Sequence, residues 1–194
     1  MVGGSRPPGK FRPVPAWGSS VGILDLGSAA VWGEIPALLV AEAQQCVNRY
    51  GWAFDDRRVD ILRELFTEDA VWDASVMDET PVGPFVGREA IIEWLSRFWD
   101  VQKDQRRHSF SNFIVDRYDG ETMTAFCYLQ LLGSTRAASR FEVAGFSRAE
   151  LVRVGPRWAI RRYTAGFDAP FWPMPFDEMT PELRVLFGVG EPDA

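Results

Sequence analysis

The sequence predicts an α+β domain, and three observations carry that prediction. Apolar residues recur at steps of three and four up to about residue 99. From His108 to Phe167 they recur instead in short strand-like runs. Turns at Tyr118-Asp119-Gly120, Gly133-Ser134 and Gly155-Pro156 divide those runs into a four-strand meander. Helices first and strands afterwards is the α+β order, and no alternation of strand and helix suggests a parallel doubly wound sheet.

Residues 1–33 read as an arm. Its glycines and prolines forbid regular structure, while Phe11, Trp17, Ile23 and Leu24 leave it able to dock on a neighbouring surface. The first helix is expected to open at Glu34-Ile35-Pro36, because proline suits an opening turn. Ile35, Leu39, Ala43, Cys46, Val47, Tyr50 and Phe54 form its apolar stripe. A second helix follows from about Arg57, with Val59, Leu62 and Phe66 on one side and Thr67-Glu68-Asp69 closing it. Ala70–Asp73 reads as a strand. Pro81, Gly83, Pro84 and Gly87 mark a loop around the extended pair Phe85-Val86. A third helix runs from about Arg88 to Trp99, and the domain proper spans 34–168. Residues 169–194, with three closely spaced prolines and a short helix expected at Pro181–Phe187, read as a tail wrapped over the body.

Composition narrows the function. The chain has 194 residues, 46% hydrophobic and 13% aromatic, so it can bury a core and is not disordered throughout. That aromatic load suits an apolar pocket or an oligomer interface. A net charge of −6 with no basic run argues against nucleic acid as a partner. No segment approaches the roughly 20 apolar residues that span a membrane, so a cytoplasmic protein is expected. One histidine and two cysteines, Cys46 and Cys127, do not make a metal or disulfide framework, and buried reduced thiols are expected. With no glycine-rich phosphate loop either, no cofactor is indicated.

Several segments resemble one family. Tyr50-Gly51-Trp52-Ala53-Phe54-Asp55 and Leu62…Leu65-Phe66-Thr67-Glu68-Asp69-Ala70-Val71-Trp72-Asp73 are similar to the opening of SnoaL-like proteins of the nuclear transport factor 2-like superfamily. Gly87-Arg88-Glu89-Ala90-Ile91, His108…Asn112…Val115 with Asp119-Gly120, and Glu150–Arg153 with Arg157–Ile160 resemble later parts of that pattern, in order, over residues 35 to 165. The resemblance implies a cone: a curved antiparallel or mixed sheet packed against three helices, as in cystatin-like folds. Its members include dehydratases, isomerases, cyclases, an epoxide hydrolase and non-catalytic oxygenase subunits, so the site has to decide the function.

The resemblance places Asp55 at the aspartate that orients a histidine in dehydratase-type relatives, and His108 at that histidine. A carboxylate on one ring nitrogen fixes the tautomer and makes the other nitrogen a better base. Tyr50 lies on the apolar stripe, near where relatives place a tyrosine that polarises a carbonyl or protonates a leaving hydroxyl; a core tyrosine with a satisfied hydroxyl is the alternative. Asn112, four residues after His108, should share its strand face roughly 13 Å away, there to reach the far end of a large ligand or to satisfy buried backbone groups. Phe110 and Ile114 would share that face, with Phe54, Trp72 and Tyr128 as further apolar lining. Asp73 is a candidate second acid and Arg148 a candidate anion holder. The alternating Arg140, Glu142, Arg148 and Glu150 otherwise read as a solvated ladder. The chain lacks the second histidine of scytalone dehydratase, and Phe54 stands where that enzyme has a tyrosine. A single-base elimination or isomerisation of an apolar oxygenated molecule is the reading that remains. A non-catalytic subunit of the same fold is its rival. An epoxide-type hydrolase would instead need Asp55, Asp73 and Arg148 to converge on a water. The run Thr122–Leu132, apolar on both faces, predicts a homodimer or homotrimer.

Overall fold

A computed structural model describes residues 35–77, 80–102 and 104–169; the predicted arm and nearly all of the predicted tail lie outside them. Helix α1 (Ala37–Asp55) opens directly after the expected Ile35-Pro36, with Pro36 as N-cap and its carbonyl accepting Leu39 N–H at 2.9 Å. Its stripe of Leu39, Ala43, Cys46, Val47, Tyr50 and Phe54 is buried. The helix stops where Arg57 turns left-handed (φ 55), which lets Arg58 N–H bond back to the Ala53 carbonyl at 2.8 Å.

Helix α2 (Val59–Leu65) is short, and Thr67-Glu68-Asp69 do not merely close it: β1 (Phe66–Val76) starts immediately. Along β1 the buried residues Ala70, Trp72, Ala74 and Val76 alternate as a half-buried strand requires. The segment expected as a loop is strand β2 (Thr80–Val86), paired antiparallel with β1. It tolerates Pro81 and Pro84 because it is the edge of the sheet, where missing N–H donors cost no ladder bond on the open side. Gly87, at φ 93, makes the turn into α3 (Arg88–Val101), whose Ile91, Ile92, Trp94, Leu95, Phe98 and Trp99 are buried.

The predicted meander follows: β3 (Gln105–Tyr118), β4 (Thr122–Ser134), β5 (Ser139–Val154) and β6 (Arg157–Phe167). The sheet has six strands in the order β2-β1-β6-β5-β4-β3. Only β1–β6 is parallel, so the sheet is mixed. Its inner face, carrying Trp72, Leu129, Leu131, Leu151 and Tyr163, packs under the helices to form one core. Cys46 and Cys127 are buried free thiols, and burial pushes each up to about 12. No described helix is long and apolar enough to cross a membrane.

Candidate active site

The last turn of α1 lies against the start of β3 because residue 51 is glycine. A Cβ there would stand 2.7 Å from Phe110 Cε2 and 3.1 Å from His108 Cβ, so a larger side chain would need the Phe110 ring to move and His108 to give by a few tenths of an ångström. This close approach brings Asp55, the final residue of the helix, to His108. Asp55 Oδ1 lies 2.6 Å from His108 Nδ1, and Oδ2 accepts the His108 backbone N–H at 2.8 Å. Gln105 Nε2 donates to the Asp55 carbonyl at 3.1 Å and ties the helix end to the strand. The Asp55 and His108 side chains keep 4% and 7% of their exposure. The neighbouring Asp56 faces outward and pairs with Arg107 at 3.4 Å.

Both carboxylate oxygens of Asp55 are thus committed to one residue, which fixes the imidazole plane and leaves Nε2 as the ring nitrogen with no bond to a described residue. Aromatic rings surround it. Phe54 meets His108 edge-on at 4.7 Å between centroids, Phe110 lies at 6.0 Å and Tyr50 at 6.2 Å. Phe98 and Trp99 of α3 back Phe54.

Tyr50 is almost wholly buried, and its hydroxyl oxygen accepts Trp72 Nε1–H at 3.0 Å. Burial holds the Tyr50 pKa above its ordinary 10; the Trp72 bond pulls it down and the Asp55 charge adds a smaller push upward. The phenol therefore stays protonated at neutral pH. Its own hydrogen is unclaimed by described residues, and accepting from Trp72 strengthens it as a donor.

Other predicted residues stand elsewhere. Between Ser111 and Ile114 the strand β3 advances three residues while β4 advances two, from Tyr128 to Phe126. Asn112 is the extra residue, at φ 51, and it is exposed. The bulge reverses the alternation. Phe113 and Val115 follow His108 and Phe110 onto the inner face, while Ile114, opposite Phe126, turns outward. The expected shared face of His108, Asn112 and Ile114 is therefore incorrect. Tyr128 is also misplaced as lining: it pairs with Ser111 and Phe146 on the outer face and is 58% exposed.

Asp73 and Arg148 do meet, but on that outer face. They line a shallow depression of about 400 Å³ with Glu150, Arg162, Ser75 and Thr164. Asp73 pairs with Arg162, and Arg148 with Glu150 at 2.9 Å. With the sheet between them and Asp55, the convergence that an epoxide-type hydrolase needs does not form. Trp72 and Phe54 are on the inner side as expected.

Sequence reasoning missed Tyr163. Its ring lies 4.3 Å from that of Tyr50, and its hydroxyl bonds Ser147 Oγ at 2.6 Å. Alternation along β6 from Ala165 would have placed it inward. It missed Gln105 and the packing role of Gly51 as well, since each acts through a long-range contact. Among the described residues no three His, Cys, Asp or Glu side chains are grouped to hold a metal ion.

The comparisons agree with this architecture, a nuclear transport factor 2-like or cystatin-like α+β fold. A proposed aromatic ring hydroxylase from Novosphingobium aromaticivorans is 28% identical, with 71% of this chain and 94% of that one covered and a TM-score of 0.59. A Catenulispora acidiphila protein solved in complex with S-DNPA is 26% identical, covering 68% and 95%, with a TM-score of 0.59. The beta subunit of a proposed aromatic-ring-hydroxylating dioxygenase from N. aromaticivorans superposes with a TM-score of 0.60, covering 68% and 90%, but at 14% identity that likeness concerns the fold alone. No curated protein matches the chain. The model of the SnoaL-like domain matches residues 37–164, and the chain belongs to that family.

Proposed function

We propose that this protein is a cofactor-independent lyase or isomerase in which His108 takes a proton from carbon. The observation that carries the reading is the committed carboxylate: Asp55 binds both Nδ1 and the backbone N–H of His108 in a buried, aromatic setting. The other ring nitrogen, Nε2, bonds no described residue and so is available to a substrate. Nε2 removes the proton, and the resulting imidazolium is balanced by the Asp55 carboxylate. The C–H electron pair moves toward a neighbouring carbonyl or expels a β-hydroxyl. His108 then returns the proton to the departing oxygen, giving water and an alkene, or to another carbon, giving the isomer. Tyr50, as a protonated donor polarised by Trp72, stabilises the negative charge that develops on oxygen. Phe54, Phe110 and the Trp72–Trp94 pair, 4.4 Å between ring centroids, favour an apolar, ring-containing substrate.

Proton exchange tests this step directly, whatever the product. In D2O, aryl and alicyclic ketones should gain deuterium at the α-carbon in the presence of the protein, followed by NMR. His108→Ala should lose roughly a hundred- to ten-thousand-fold of that rate. Exchange that is absent from a broad ketone panel, or unchanged in the variant, would remove the proposal.

We also propose that a second copy covers the outer face of the sheet. Tyr128, Phe141 and Leu132 are exposed there. On the same face Arg148, Glu150, Arg162 and Asp73, paired within the chain, supply charges of both signs that a two-fold partner can meet reciprocally. Light scattering should give a dimer that Tyr128→Glu converts to monomer; a monomeric wild type at micromolar concentration would refute it.

A further inference from the structure

A second concavity lies along α1, lined by residues other than Asp55 and His108. It is a groove of about 480 Å³ between α1, α2 and the turn joining β5 to β6, within the size range of small-molecule sites. Its floor is apolar, with Leu65, Trp158 and the buried thiol of Cys46, and Leu38 and Ile61 form its walls. Leu38 is among the most exposed large apolar side chains of the described residues.

The rim carries two acids, Glu42 and Glu64, and two arginines, Arg49 and Arg157. Glu42 is occupied: its Oε2 accepts Trp158 Nε1–H at 2.8 Å and lies 3.7 Å from Arg153. Arg49 and Arg157 form no ion pair with a described carboxylate, although Arg157 donates to the Glu64 backbone carbonyl. With Glu42 drawn to Arg153 from outside the groove, Glu64 is the one acid left at the rim beside the two arginines. Both arginines act on the thiol of Cys46, pulling its pKa down against the larger effect of burial, so their positive charge is felt at the groove floor.

We propose that this groove binds a small amphipathic carboxylate, its apolar chain on Leu38, Ile61 and Trp158 and its carboxylate between Arg49 and Arg157. Apolar area supplies most of the affinity, and the charge-assisted bonds to two guanidinium groups select the anion. The site is separate from the His108 chemistry and does not depend on it.

Decanoate is a suitable probe, with decanol as a control of equal chain length, in calorimetric and NMR titrations of the full chain. Decanoate should bind one to one, shift the signals of Leu38, Ile61 and Trp158, and bind at least about ten-fold tighter than decanol. Arg49→Glu, an exposed change that should leave the circular dichroism spectrum intact, should weaken decanoate by about ten-fold or more and leave decanol unaffected. His108→Ala should bind decanoate as the wild type does. Equal affinities for acid and alcohol, no loss in Arg49→Glu, or shifts confined to the surroundings of His108 would each overturn the proposal.

Discussion

The two faces of one sheet treat their acids differently. On the outer face Asp73 and Glu150 are each paired with arginine, and Arg162 and Arg148 keep substantial exposure, 42% and 28%. On the inner side no described guanidinium pairs with Asp55. Both of its oxygens go to a histidine that is nearly sealed by aromatic rings. A solvated ion-pair ladder stabilises little, because water and salt screen it and ordering long side chains costs entropy. A buried carboxylate with one imidazole is a more demanding arrangement, since an uncompensated charge in that setting is costly. The proposed proton transfer uses that arrangement, with the carboxylate holding the imidazole in place.

The largest effect that would sharpen this contrast is at Asp55. Asp55→Asn keeps the volume but presents an amide N–H2 to one of two donors, the Nδ1–H or the backbone N–H, that the carboxylate accepted together. We expect the deuterium exchange rate to fall by about a hundred-fold or more. We also expect stability to drop by about 1–3 kcal/mol in urea titration, from the lost charge-assisted bond. Retained exchange would show that the carboxylate is only structural. Tyr50→Phe comes next. It strands the buried Trp72 Nε1–H, which should cost about 1–3 kcal/mol, and it removes the proposed oxyanion donor.

The same region has a signature at high pH. Burial raises Tyr50 and Tyr163 above 10, the value they approach when unfolded. Stability gained by keeping them neutral is complete below about pH 10 and is lost as pH climbs beyond it. Their tyrosinate absorbance should therefore appear only with unfolding, as seen by following 295 nm and circular dichroism together. A reversible signal from all four tyrosines in the folded protein would show that these rings are wetter than the structure places them.

How much of this is legible in the sequence depends on the range of the cause. The stripe of α1 and the turns of the meander are local, and the sequence displays them directly. The pairing of Asp55 with His108 is legible only through family resemblance, because nothing within either segment encodes a contact 53 residues apart. Strand β2 is hidden because its prolines signal a loop unless the strand is known to be an edge. The faces of Asp73 and Arg148 are misjudged for a related reason. Alternation says which residues share a face, but only the helices decide which face is inside. Outer-face variants test that decision: Asp73→Asn or Arg148→Ala should each cost less than about 1 kcal/mol and leave exchange unchanged. A large loss of exchange in either would mean that the outer face reaches the chemistry after all.

The smallest expected effect concerns Asn112, where strict alternation fails. Its side chain is exposed and its backbone is left-handed, a conformation that glycine adopts without penalty and asparagine tolerates better than most residues. Asn112→Gly should therefore change stability by no more than about 0.5 kcal/mol, whereas Asn112→Val, with its branched Cβ, should cost about 1–2 kcal/mol. Neither should alter exchange, since the bulge removes this side chain from the face of His108. A specific loss of exchange in Asn112→Gly, with stability intact, would return Asn112 to the substrate and show that the register of β3 shifts during turnover.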